Sequence, residues 1–257
     1  MQVAVVTGAS SGIGEATARA LARSGWHCVL LARREERLRA IADEIGGEYE
    51  LCDVSDRAHV DAVAARVRER HPAIQLLVNN AGVPGRASFL RAEPERIEEV
   101  IRTNYLGSVW CLRAFLPALE SGAPSHVVNL VSVAGTFAFP PAGPYSASKH
   151  AQLAFSRATS ALLRGRGISV HTVKPGFVET EGFPQRERLR NPLLRRTVLE
   201  PEDVARHVLK VVGGGPSETT IPRLLFAVGV LQALAPNLLA RAFARGVGAR
   251  TRRDAVL

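Results

Sequence analysis

Short apolar runs alternate with amphipathic stretches from the first residues of this chain, and that rhythm restricts the fold more than any other feature. Val3–Thr7, Trp26–Ala32, Glu48–Cys52, Ile74–Asn79, His126–Ser132 and Ile168–Lys174 read as buried strands. Between them Gly14–Ser24, Glu35–Ile45, Asp56–His71, Glu95–Leu119 and Tyr145–Arg164 read as helices, the first three closed by Gly25, Gly46 and Pro72. Strands separated by helices must run parallel and need helical cover on both faces. No repeat or Pro/Gly/Ser linker interrupts the rhythm before Gly213-Gly214-Gly215-Pro216. The expectation is one α/β domain over residues 1–222, a doubly wound parallel sheet, followed by a helical extension at 223–257.

Composition removes several function classes. Cys28, Cys52 and Cys111 are scattered through apolar runs, with neither a disulfide framework nor metal-ligand spacing. They read as buried thiols in a reducing compartment, and no metal is expected. The chain begins directly on an apolar strand with no secretory leader, so a cytoplasmic location is expected. Net charge is +9, and residues 221–257 carry six arginines against one aspartate. A basic balance suits nucleic acid, anionic lipid or an acidic substrate, and equally an arginine-rich proteome. Aromatics are 5% and do not interleave with basic residues, which argues against a nucleic-acid partner.

Gly8, Gly12 and Gly14 lie between the first strand and its helix. Small residues there let backbone approach a pyrophosphate, and the helix start presents free N–H groups. The spacing Gly-x3-Gly-x-Gly departs from the commoner Gly-x-Gly-x2-Gly of dinucleotide folds. Where those folds carry an acid for the ribose 2′-hydroxyl, the second strand here runs into Arg33-Arg34. Two guanidinium groups suit a 2′-phosphate, so the expected cofactor is NADP(H), with Ser10 and Ser11 as further candidates to touch that phosphate. A solvated charge pair at a helix start is the plainer alternative.

Tyr145 and Lys149 stand four residues apart in a chain with three tyrosines and three lysines, thirteen positions after Ser132. Positions i and i+4 share a helix face. An ammonium close to a phenol favours the phenolate and is expected to lower its pKa from about 10, as proton exchange near neutral pH requires.

Together these motifs resemble the short-chain dehydrogenase/reductase family, in its compact single-domain subgroup, over about Val3 to Val212. The resemblance implies a Rossmann-like sheet in the order 3-2-1-4-5-6-7. It implies a catalytic set of Asn104, Ser132, Tyr145 and Lys149. Cofactor contacts would fall on Gly8, Ser10, Ser11, Gly12, Ile13, Gly14, Arg33, Arg34, Asp53, Val54, Asn80, Ala81, Gly82, Tyr145, Lys149, Pro175, Gly176, Val178 and Thr180. Asp53 would meet the adenine, Asn79–Gly82 would stabilise the central sheet, and Pro175–Thr180 would touch the nicotinamide side. Tyr145 would exchange the proton, Ser132 would donate to the substrate oxygen, and Asn104, set mid-helix, would hold a water leading from Lys149. The implied reaction interconverts a small-molecule carbonyl and alcohol in a homodimer or homotetramer.

On the substrate side, Phe177 to Leu199 mixes Phe177, Phe183, Leu189, Leu193 and Leu194 with Arg186, Arg188, Arg190, Arg195 and Arg196. Such a lid suits an apolar substrate, and its arginines keep open a 3-oxoacyl thioester. A binder of NADPH that senses without turnover is the reading of another class, and the Ser132/Tyr145/Lys149 set argues against it. The last stretch departs from the family pattern. Leu224–Ala235 is nearly all apolar, too short for the ~20 residues of a membrane span, with Pro236 set to split the helix. It would cover the substrate mouth or a subunit interface, rest on a membrane through its arginines, or complete the core.

Overall fold

A computed structural model of the protein describes residues 1–257 except 86, 188, 190–194, 239 and 242–257. The elements follow the predicted rhythm. They are β1 (Gln2–Thr7), α1 (Gly12–Arg23), β2 (Trp26–Ala32), α2 (Glu35–Ile45), β3 (Glu48–Leu51), α3 (Arg57–Arg70), β4 (Leu76–Asn79) and α4 (Pro94–Ile101). There follow α5 (Gly107–Ser121), β5 (Ser125–Leu130), α6 (Gly143–Leu163), β6 (Ile168–Pro175), α7 (Pro201–Val212), β7 (Glu218–Ile221) and α8 (Phe226–Leu234). All seven strands pair in parallel, in the order β3-β2-β1-β4-β5-β6-β7. The chain builds outward from β1 to β3, then returns to β4. The order therefore reverses between β1 and β4, where a crevice opens beyond the strands' carboxyl ends.

Strand periodicity sorts the core into two layers. Val3, Val5, Val29 and Leu31 face one way and pack with Val60, Val63 and Val67 of α3 and with Cys111, Phe115 and Leu119 of α5. Ala4, Val6, Cys28 and Leu30 face the other way, against Leu21 of α1, Leu38 of α2 and Val204 and Val208 of α7. Alanines 16, 20 and 205 let α1 and α7 approach closely. All three cysteines are buried, and burial pushes the Cys28 and Cys52 thiols up to about 12, so they are inert at neutral pH.

The structure changes one long element. The single helix expected over Glu95–Leu119 is α4 and α5 joined by a π-helical turn, Arg102–Leu106. That turn inserts an extra residue and rotates Asn104 inward, where it is fully buried. The expected strand starting at Ile74 begins at Leu76, because the Ile74 N–H turns aside to the Ala118 carbonyl. At the C-terminus, the helix ends at Leu234 and restarts at Pro236, as that proline requires. None of the residues of α8 is buried, so it does not complete the core. Among the described residues no helix is long and apolar enough to cross a membrane.

Candidate active site

The glycine turn after β1 is locked from two sides. Gly8 and Gly12 have φ of +65° and +57°, which side chains with Cβ rarely adopt. A Cβ on Gly14 would lie 2.3 Å from the Gly8 carbonyl oxygen, so the turn closes only with glycine there. The Asn80 carboxamide donates to the Thr7 and Gly8 carbonyls at 2.9 and 3.2 Å, and the Thr7 hydroxyl accepts from the Asn80 and Ala81 N–H groups. Asn80 thus clamps the turn across the β1/β4 crevice. Ser11 precedes α1 without a side-chain cap, leaving the first-turn N–H groups of the helix available. Ile13 packs partly into the core.

Beyond β2, Arg34 donates to the Ser10 hydroxyl at 3.1 Å and the Ser10 carbonyl at 3.2 Å, so it lies along the glycine turn. Arg34 and Arg37 both hold Glu181, at 3.4 and 2.6 Å. Arg33 extends into solvent, 3.8 Å from the Asp53 carboxylate. Burial alone would raise the Asp53 pKa, but hydrogen bonds from Ser55 and the Arg33 charge outweigh it and hold the carboxyl below its usual value. Val54 is buried against Gly107. At the other end of the crevice, Gly176 bonds the Ile221 carbonyl and packs on Leu225, while Thr180 touches Gly12. Val178 is buried and packs in the core layer of α1, α2 and α7.

Three of the four predicted catalytic residues converge. Ser132 follows β5, and its hydroxyl accepts from the Ala134 N–H at 3.1 Å, donates to the Pro175 carbonyl at 3.5 Å and acts on the Tyr145 phenol. Tyr145, in the first turn of α6, is half-buried beside Phe183 of the lid, with ring centroids 5.7 Å apart. The Lys149 amine lies over the same ring, 5.8 Å from its centroid, so the pair shares a helix face. The Asn104 side chain is turned elsewhere. Its carboxamide accepts from the Val83 N–H at 2.7 Å and donates to the Val83 carbonyl and the Ser148 hydroxyl, tying the loop after β4 to α6. Gly82 lies against it.

The electrostatics differ from the sequence-based expectation. Burial pushes the Tyr145 phenol up to about 12, opposed by the Ser132 hydrogen bond, and pushes the Lys149 amine down to about 7. Burial raises the cost of both charges, so the phenol lies above and the amine below its ordinary value. Two of the amine's N–H groups are committed to the Leu130 carbonyl at 2.8 Å and the Gln152 side-chain oxygen at 2.7 Å. Sequence reading missed Gln152 and its partner Ser108, and also Arg37. The i,i+3 spacing from Lys149 placed Gln152 on the right face. Nothing local gave its second partner, which comes from another helix.

Residues 2–190 match the family described as short chain dehydrogenase. The chain belongs to the short-chain dehydrogenase/reductase family. Farnesol dehydrogenase of Aedes aegypti is 36% identical over 229 residues, covering 84% of this chain and 91% of that protein. Among solved structures, a variant of actinorhodin polyketide ketoreductase with NADPH has a TM-score of 0.77 at 32% identity, covering 86% of this chain and 95% of that one. A short chain dehydrogenase/reductase from Burkholderia phymatum in complex with NAD has a TM-score of 0.81 at 29% identity, covering 93% and 95%. This short-chain dehydrogenase/reductase is therefore an oxidoreductase of a family that binds nicotinamide cofactors. Its glycine cradle, uncapped helix start and serine–arginine edge fit such a dinucleotide.

Proposed function

We propose that the protein is an NADP(H)-dependent reductase of apolar carbonyl compounds, working between ketone or aldehyde and alcohol. The convergence of Ser132, Tyr145 and Lys149 on one wall of the crevice carries the reading. When bound, the cofactor supplies or accepts the hydride at the substrate carbon. Tyr145 gives the proton to the substrate oxygen in reduction and takes it back in oxidation. Ser132 donates to that oxygen as its charge develops. Lys149, protonated, favours the phenolate left behind, and a phenol raised by burial is a poor base until a positive charge stands near it. The role of Asn104 is to brace the loop after β4 against α6.

Arg34 along the glycine turn, with Ser10 beneath it and Arg33 and Arg37 beside it, supports NADP(H) over NAD(H). Phe183 against Tyr145, and exposed Phe139 beside Ser146, support an apolar substrate. Likeness to a polyketide ketoreductase keeps a 3-oxoacyl thioester as the second reading. Against it, Arg186 pairs with Glu200 and Arg195 bonds the Arg186 carbonyl, so these two lid arginines are engaged within the lid. Comparing kcat/KM for free apolar ketones with that for an acyl thioester separates the two.

The central test is Tyr145→Phe. It should lower kcat by at least ~10²-fold while NADPH binding stays close to wild type. A variant that turns over normally would overturn the reading.

A further inference from the structure

Lys149 is almost wholly buried, and so are three polar groups behind it: Gln152, Ser108 and Asn104. With the amine charged, the polarity of this chain follows from its first member. An ammonium only donates, so the Gln152 oxygen must face it, at 2.7 Å. That turns the Gln152 amide nitrogen to the Ser108 hydroxyl, which accepts at 2.8 Å. The Ser108 hydroxyl is then directed at the Asn104 carbonyl, at a long 3.5 Å. The chain therefore runs from the amine on α6, through α5, to the backbone of the π-helical turn.

We propose that Gln152 is a positioning residue for Lys149: its carboxamide, fixed at the far end by Ser108, holds the amine over the Tyr145 ring and in its charged form. The inference rests on the reading of Tyr145 and Lys149 given above. A carboxamide has no proton to hand on at neutral pH, so Gln152 is a support and not a conduit. Its oxygen accepts from the ammonium, which favours the charged form over the neutral amine. The other groups facing Lys149 are the Leu130 carbonyl from β5 and Tyr145 one turn back. Tyr145 is the titratable group beside it, and burial pushes the amine below its ordinary value. Without Gln152 the balance tips further to the neutral amine.

The experiment measures kcat against pH, and NADPH binding by fluorescence, for the full chain and for Gln152→Leu, Gln152→Glu and Ser108→Ala. Gln152→Leu should lower kcat on the order of ten-fold, the scale seen when the support of a catalytic group is lost. It should also move the alkaline limb of the profile to lower pH. Gln152→Glu, which places a carboxylate on the amine, should move that limb to higher pH. Ser108→Ala, which leaves Lys149 its direct partner, should give a smaller shift in the direction of the leucine variant. NADPH binding should persist in all three and reports that each is folded. If Gln152→Leu binds NADPH but keeps the wild-type profile, or if leucine and glutamate move it the same way, Gln152 is packing and the inference fails. Normal turnover by Tyr145→Phe would instead remove the reading beneath it, so the two failures are distinguishable.

Discussion

A buried amine sets the behaviour of this site residue by residue. The Lys149 pKa is lowered to about 7 in the folded protein, against about 10.5 in an unfolded chain. Between those values the unfolded chain binds more protons, so folding stability rises with pH across that window. Lys149→Met removes the group that titrates. Wild type should therefore gain stability relative to this variant as pH rises from 7 toward 10, and lose that gain on return. Urea midpoints of both proteins at several pH values measure it, and parallel curves would refute the burial argument. The pairing of Tyr145 with Lys149 was legible in the sequence, because four residues on a helix make one face. The direction of their pKa shifts was not, because burial belongs to the packed molecule and not to a spacing.

Single elements explain what local reading did not supply. Asn104 reads as an ordinary helix-interior residue, since a π-helical turn leaves no mark in the apolar period of its helix. The distant partners Val83 and Ser148 give it a purpose. The clamp of Arg34 and Arg37 on Glu181 joins α2 to the lid segment in the same way, through residues 144 or more positions apart. Both arginines pull the Glu181 carboxyl below its usual value. That carboxylate sits where a phosphate would compete for the same guanidinium groups. Glu181→Gln should tighten NADPH binding relative to NADH by about two-fold, the small scale of exposed ion pairs. Arg34→Ala should weaken NADPH on the order of ten-fold or more and NADH little. Titrations of both nucleotides against each variant check this; equal effects on the two would remove the 2′-phosphate from the account.

Across the whole molecule, sensitivity to acid follows from buried histidines. His126 and His171 stack between β5 and β6 with nitrogens 3.0 Å apart. Burial, then the neighbouring His126, pushes His171 down to about 4. Above about 6.5 both states are neutral there and stability is complete; as pH falls toward 4 the unfolded chain takes up the proton first and stability is lost. His171→Gln should flatten that part of the curve. Below about 4.5 a second loss follows, because Glu48, held down to about 2 by hydrogen bonds from His27, His71 and Arg70 that outweigh its burial, must be protonated. Thermal unfolding from pH 7 to 3 for both proteins separates the two ranges. The sheet order was expected from the resemblance alone, and the parallel sheet from the alternating elements. The α8 extension was not resolved by sequence, because an apolar run reads alike whether it is covered or exposed, and here Leu224, Phe226 and Leu234 are exposed.

One row of side chains through the sheet bears on all three scales. Asn79 donates to Asn129, Asn129 to the Ser156 hydroxyl, and that hydroxyl shares a proton contact with Thr172, each within 2.9 Å. The strand register aligns Asn79 with Asn129 and Asn129 with Thr172. Sliding any of β4, β5 or β6 by one position would strand these buried groups without partners. Asn80, Ser132 and Pro175 lie within three residues of row members, and Lys149 lies two helical turns before Ser156. The polar row thus acts as a ruler: three strands and a helix that agree on its marks also deliver the working groups to a common depth, so misalignment and loss of chemistry are one event.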